Sequence, residues 1–346
     1  MARAFPVVFV CLICCLAPAS ACLWDRDTLQ MERQRFPDAL ELITGKFPRH
    51  SKQFYEWRIE DRKRRLATGE STPSVYDDLA VAYEKAGQSD LAIETALKAE
   101  TLFPGRYETY ANLGTFYFHS KQFDAGLTWI DRALAINPDA HFGREEYQKL
   151  LVRYVLTKRQ DGELKLPMTP HKPRTIWPRY RGFAAFVLES KGLEPGTPEG
   201  DATGAERELD KALKGVLGMM RFGNFDSPVL LEALGDVLSS GSQERDARHL
   251  ASRAYLAAAS ASQEPETRRE YRQLADSALA THMTSSNSNR PKLSVLESEF
   301  RREVADAKKW SSTVAADERT WIRKGLDPEA EFARRYFPEA KTDPAQ

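Results

Sequence analysis

The sequence predicts an all-α protein, a solenoid of stacked helical hairpins with irregular insertions and a C-terminal capping helix. Three observations predict this fold class. The 346-residue chain is rich in residues that favour helices, and the alternating runs of Val, Ile and Thr typical of strands are scarce beyond the N-terminus. One pattern occurs twice within residues 73–138 at the same spacing. Apolar residues at helical spacing then recur towards the C-terminus, with Gly and Pro between them.

The repeated pattern is 34 residues long and keeps both the residue types and their spacing. The first copy is Tyr76, Leu79, Ala80, Tyr83, Ala92, Ala99 and Pro104, and the second is Tyr110, Leu113, Gly114, Tyr117, Gly126, Ala133 and Pro138. Its period and residue order resemble the tetratricopeptide-repeat family, whose unit is a helix-turn-helix. In each copy we expect the small residues where the two helices approach most closely, and the Pro just after the second helix.

The resemblance implies a concave groove lined by the first helix of each repeat. Carried over to this chain, the groove residues are Asp77, Asp78, Val81, Glu84, Lys85, Asn112, Thr115, Phe118 and His119. Relatives that grip a terminal carboxylate use Lys and Asn here, but this chain matches only at Asn112 and has Asp77 in place of the Lys. We therefore expect a basic or apolar extended segment as the partner, with Asp77 and Asp78 as charge partners and Phe118 as the anchor. The alternative is that these residues are exposed positions on a structural array.

The N-terminus predicts export. Residues 1–21 read as a signal peptide, with Arg3, an apolar run and small residues before the cleavage point. Cys22 follows, and the junction resembles the lipobox of bacterial lipoproteins, although Ala19 stands where the family usually has Leu. This resemblance implies lipid attachment at Cys22 and a location in the periplasm or at the outer surface. The alternative is ordinary cleavage that leaves Cys22 unmodified.

The rest of the chain divides at its composition changes. The predicted segments are a helical lead-in at residues 22–70, tetratricopeptide repeats at 71–158, an irregular Pro-rich insertion with one short helix at 159–204, degenerate helical repeats at 205–283, and a loop with C-terminal helices at 284–346. We interpret the apolar stripe of the last segment as a cap on the array, with a dimerisation seam as the alternative. In the lead-in, the basic run from Arg62 to Arg65 stands beside Glu60 and Asp61, which predicts a solvated helix face.

Composition and motifs favour a binding protein over an enzyme. The formal net charge is zero, which argues against nucleic acid as the main ligand. We find no Gly-rich phosphate loop, serine elbow or His-Glu-x-x-His pair, and therefore predict no catalytic residue, cofactor or metal site. The expected function is a non-enzymatic scaffold or adaptor of the bacterial cell envelope that binds a protein or peptide in the groove, with membrane contact only through lipid on Cys22. The alternatives are an envelope enzyme with its site in residues 160–204 and a purely structural homo-oligomer.

Overall fold

The structure is a computed structural model that describes residues 36, 38–138, 143–171, 180–193, 202–240, 247–280 and 292–337. The predicted signal peptide and Cys22 lie outside the described residues. Within them the chain forms fourteen α-helices and one two-stranded hairpin, which confirms the all-α helical-repeat fold. None of these helices combines the length and the apolar character that crossing a bilayer requires.

The elements in chain order are α1 (Ala39–Thr44), α2 (Lys52–Ala67), α3 (Pro73–Lys85), α4 (Ser89–Leu102), α5 (Tyr107–His119), α6 (Phe123–Ile136), α7 (Arg144–Lys158), β1 (Arg159–Gln160), β2 (Glu163–Leu164), α8 (Gly182–Ser190), α9 (Ala202–Phe222), α10 (Pro228–Leu238), α11 (Arg248–Ala261), α12 (Pro265–Ala280), α13 (Leu293–Arg323) and α14 (Pro328–Tyr336).

The two 34-residue copies fold into the hairpins α3–α4 and α5–α6, as the sequence predicts. Pro104 and Pro138 follow the ends of α4 and α6. The close approach of α5 and α6 depends on two glycines. A Cβ on Gly114 would lie 2.5 Å from the Ile130 side chain, and one on Gly126 would lie 2.3 Å from the Phe118 ring. Both distances are too short for a carbon contact, so this hairpin packs more tightly than alanine at these positions would allow.

The turns inside the two hairpins have the same hydrogen-bond pattern but different residue types. In the first, the N–H groups of Gly87 and Gln88 donate to the carbonyls of Glu84 and Tyr83. In the second, Lys121 and Gln122 donate to Phe118 and Tyr117. Gly87 and Lys121 both have left-handed backbones, with φ of 80° and 59°. Glycine adopts this conformation freely, whereas a lysine there is strained.

The second half contains the largest buried cluster, built mainly from α7 to α12 with α1 against it. Two buried carboxylates on α10 attach the insertion to this core. Glu232 accepts hydrogen bonds from the N–H groups of Met168 and Thr169, both at 2.9 Å, and Asp236 accepts one from Phe183 N–H at 3.0 Å. The acids of α10 thus satisfy three backbone donors of the insertion, at Met168, Thr169 and Phe183.

The long helix α13 connects the second half of the chain to the lead-in. Near its start, Glu303 accepts two hydrogen bonds, at 2.8 and 2.9 Å, from the buried Arg253 of α11. Near its end, the buried Glu318 accepts a hydrogen bond from Ser51 N–H at 2.9 Å and lies 2.6 Å from Nδ1 of His50. The predicted capping helix thus covers the first helices of the array as well as the last ones.

The apolar stripe of α13 lies mostly inside the chain. Leu296, Phe300 and Ala307 are buried, and Leu293 and Val304 are half-buried against the same core. This placement supports the interpretation of the stripe as a cap, because a dimerisation seam would have to be exposed in the single chain.

Candidate partner-binding surface

The first helices of successive repeats, α3, α5 and α7, lie side by side. Asp77 of α3 forms an ion pair with Arg106, just before α5, at 2.6 Å and accepts a hydrogen bond from Thr109 at 3.3 Å. Burial raises the pKa of Asp77 above its usual value. The hydrogen bonds and charge of Arg106 and Thr109 offset only part of this rise. The carboxylate that the sequence assigned to a basic ligand is therefore already paired inside the chain.

Other groove residues also join neighbouring helices. Glu84 of α3 lies 2.7 Å from Nδ1 of His119 on α5. Thr115 of α5 accepts a hydrogen bond from Gln148 of α7 at 3.0 Å. We refer to Val81, Lys85, Asn112, Thr115, Arg144 and Gln148 as the inner surface. Val81, Asn112 and Thr115 are half-buried there.

Asp78 lies on a different side of α3 from this surface. Its carboxylate accepts a hydrogen bond from Nε of Arg62 in α2 at 3.0 Å and forms an ion pair with Nη2 of the same side chain at 2.8 Å. The expectation that the basic run is a solvated face is wrong for Arg62, whose side chain is 4% exposed. Adjacent residues on a helix project about 100° apart, so Asp77 contacts the next repeat while Asp78 contacts the lead-in.

Phe118 is a core residue, which corrects its expected position as the groove anchor. Its side chain is 8% exposed and packs with Ile130 and Val152 between the second hairpin and α7. Glycine at position 126 provides the space for its ring. The side chain is therefore not available to a partner without opening this core.

The end of α9 and the loop after it lie against the inner surface. The Lys85 ammonium donates a hydrogen bond to the carbonyl of Gly223, and burial lowers the pKa of Lys85. Further along the loop, the ring of Phe225 packs edge-on against Phe47 at 5.5 Å between centroids. The groove that the sequence predicts as open is thus partly filled by the chain itself.

Phe222, the last residue of α9, remains accessible beside the inner surface. Its side chain is 63% exposed, and the guanidinium carbon of Arg144 lies 5.4 Å from its ring centre. No pattern in the sequence points to Phe222, because only the tertiary path of α9 brings this residue next to α7. An exposed aromatic over a cation offers a partner both apolar contact area and a polar edge.

Within the described ranges, no group of three or more His, Cys, Asp or Glu side chains is arranged to hold a metal ion. The described part of the insertion, where the enzyme alternative placed its site, includes Met168, Thr169 and Phe183, whose N–H groups bind the buried acids of α10.

Comparison with known families agrees with the repeat geometry. Residues 107–140 match the family model described as tetratricopeptide repeat, which covers α5, α6 and the residues just after them. No curated protein matches the chain. The match lies on the second of the two 34-residue copies and supports a protein-protein interaction scaffold built from such repeats.

Proposed function

We propose that this chain is a non-enzymatic scaffold of the bacterial cell envelope that binds a partner protein at the inner surface, with Phe222 as the anchor. The observation that carries the proposal is the exposure of Phe222 against Arg144 of the inner surface, a surface to which the hairpin matching the tetratricopeptide-repeat model contributes Asn112 and Thr115. Aromatic residues that are exposed in the free protein and buried on binding contribute strongly to protein interfaces.

The chemistry of the surface favours an apolar or aromatic segment of the partner. Asp77 is ion-paired with Arg106, and one oxygen of Glu84 lies 2.7 Å from Nδ1 of His119, so both carboxylates already contact a neighbouring helix or its start. Val81 and Phe222 provide apolar contacts, and Asn112 provides an amide that can bind a peptide backbone. The proposed ligand is therefore an extended segment with an apolar side chain that packs against Phe222.

Affinity capture from the native envelope tests this surface. The wild-type chain should retain its partner and the Phe222→Ala variant should lose most of it. Phe337→Ala is the matched control, because Phe337 is also an exposed phenylalanine, at 53%, but it follows α14 and packs against Phe332 instead of Arg144. Equal capture by all three proteins would exclude Phe222 as the anchor.

The envelope location rests on the sequence of the first 22 residues. We propose that Cys22 carries a lipid after removal of residues 1–21 and holds the scaffold at a membrane. Metabolic labelling with radioactive palmitate should mark the wild-type chain and leave a Cys22→Ser variant unlabelled. Absence of label from the wild type would remove the anchor while leaving the binding proposal intact.

A further inference from the structure

The part of the insertion that follows β2, residues 165–171, is held at its middle by one buried side chain of α10. We call these residues the strap. The N–H groups of Met168 and Thr169 donate to the two oxygens of Glu232, both at 2.9 Å. The side chain of Met168 is 4% exposed and belongs to the large core cluster. The strap thus closes over Glu232, which satisfies two of its backbone donors.

One further hydrogen bond to α12 lies on either side of this centre. The carbonyl of Leu166 accepts a hydrogen bond from the hydroxyl of Thr267 at 3.1 Å. At the other end, Nε2 of His171 lies 2.9 Å from Oγ of Ser277. The strap therefore connects α10 to α12, and its closest attachment to α10 is through a group that can gain or lose a proton.

Glu232 shares the protein interior with a second carboxylate. Asp236 lies about one turn further along α10, and both side chains are 0% exposed. Arg181 forms an ion pair with Asp236 at 3.3 Å. The donors to Glu232 are the two strap N–H groups and the hydroxyl of Tyr271 at 2.7 Å, and all three are neutral. A charge on Asp236 thus has a cation beside it, whereas a charge on Glu232 would face that of Asp236 away from water.

The other ionisable groups around this pair come from three neighbouring helices and from the insertion. They are Tyr154 and Lys158 on α7, Tyr255 on α11, Tyr271 on α12, and Arg181 and His171 of the insertion. Burial and the charge of Asp236 raise the pKa of Glu232 to about 7, and its three hydrogen bonds oppose only part of this rise. In the closed strap Glu232 therefore holds a proton up to about pH 7.

We propose that the strap is a pH-responsive element, closed on α10 while Glu232 holds a proton and opening locally when Glu232 loses it. Opening gives water access to the carboxylate and to the N–H groups of Met168 and Thr169, so neither the new charge nor the freed donors stay buried. A hydrated glutamate has a pKa of about 4.3, below that in the closed strap. The opening constant should therefore rise with pH between about 4.3 and 7, by at most about tenfold per pH unit.

Hydrogen exchange of the full chain, read by mass spectrometry on peptides that contain Met168 and Thr169, tests the proposal. After correction for the intrinsic effect of pH on amide exchange, their protection should fall about tenfold between about pH 5.5 and 7. Low concentrations of urea should leave this exchange almost unchanged, because a local opening exposes little surface. Protection that is constant with pH, or exchange that accelerates with urea as steeply as that of α11, would overturn the proposal.

Two conservative variants assign the effect to the carboxylate pair. Glu232→Gln should remove the pH dependence of protection. Asp236→Asn should reduce it, because without the neighbouring charge Glu232 can ionise inside the closed strap. This second variant tests the same pair if Glu232→Gln does not fold.

His171→Asn is the matched control, because histidine as a class changes charge near neutral pH and this one lies within the strap. It should keep the pH dependence of the wild type. Loss of the dependence in His171→Asn, or its persistence in Glu232→Gln or undiminished in Asp236→Asn, would contradict the assignment to Glu232. None of these measurements requires a partner, so they are independent of capture at Phe222.

Discussion

The backbone of Gly126 approaches the ring of Phe118 so closely that a methyl group on Gly126 would lie 2.3 Å from the ring. The second hairpin therefore requires glycine where the first hairpin has Ala92. The difference follows from the residue on the opposite helix, because Phe118 extends into the contact between α5 and α6. The same contact therefore has two effects: it packs α5 tightly against α6, and it buries Phe118, which cannot then serve as an exposed anchor.

We expect Gly126→Ala to lower the free energy of unfolding by about 1–2 kcal/mol, because overpacking costs about 1–3 kcal/mol and alanine regains about 0.5–1 kcal/mol in a helix. Urea unfolding followed by circular dichroism measures the change. Gly218→Ala is the control, since its Cβ meets only the flexible side chain of Arg144. A Gly126→Ala protein as stable as the wild type would contradict the close approach.

Lys121→Gly should raise the free energy of unfolding by about 0.5–1 kcal/mol, because glycine relieves the left-handed backbone at this turn. The comparison is Gly87→Lys in the first hairpin, where the same hydrogen bonds surround a glycine with φ of 80°. That change should lower stability by a similar amount. The prediction fails if the two variants shift the urea midpoint in the same direction.

Glu318→Ala should lower the free energy of unfolding by about 2 kcal/mol, because it leaves the half-buried N–H of Ser51 and the ring of His50 without their acceptor. Asp306→Ala, a change of an exposed acid on the same helix, should stay within about 0.5 kcal/mol of the wild type. Thermal unfolding of the wild type and both variants measures these changes. A loss of stability in Glu318→Ala alone shows that the bond to Ser51 and His50 matters, and not simply the removal of an acidic charge from α13.

The buried pair on α10 should make stability depend on pH. Burial and the neighbouring Asp236 raise the pKa of Glu232 to about 7, although hydrogen bonds from Met168, Thr169 and Tyr271 favour the charged form. An unfolded glutamate has a pKa of about 4.3, so the folded state holds this proton more tightly. The contribution of Glu232 is therefore largest below about pH 4.3 and is lost as the pH rises to about 7.

Glu232→Gln removes this titration. We expect the stability of the wild type, measured relative to this variant by urea unfolding, to fall between about pH 5 and pH 7.5. Asp306→Asn provides the control, because Asp306 is exposed and its removal should leave the pH profile of the wild type in place. A constant difference between wild type and Glu232→Gln over this interval would show that Glu232 is charged throughout.

The features that sequence predicts well here are local. The repeat spacing predicts both hairpins, and the residue types at Ser51 and Asp327 predict two helix starts where each side chain accepts a hydrogen bond from the first turn. Proline and glycine also predict helix ends well, because the backbone of each residue ends the helix without any contact to a distant segment.

The candidate site depended on contacts between distant segments and was predicted less well. The partner of Asp78 is Arg62, and the partner of Lys85 is a carbonyl at position 223. No residue pattern near Asp78 or Lys85 indicates these pairs. A family-based groove assignment describes which side of a helix a residue occupies, but not which other part of the same chain already lies there.

The bond between Ser51 and Glu318 joins residues 267 positions apart. In an open helical array, the terminal units fray, and their amide protons exchange with solvent faster than those in the middle. Here α2 cannot unfold locally unless α13 first separates from it. Hydrogen exchange should therefore show α2 protected to the same degree as α13, with both helices opening as one unit.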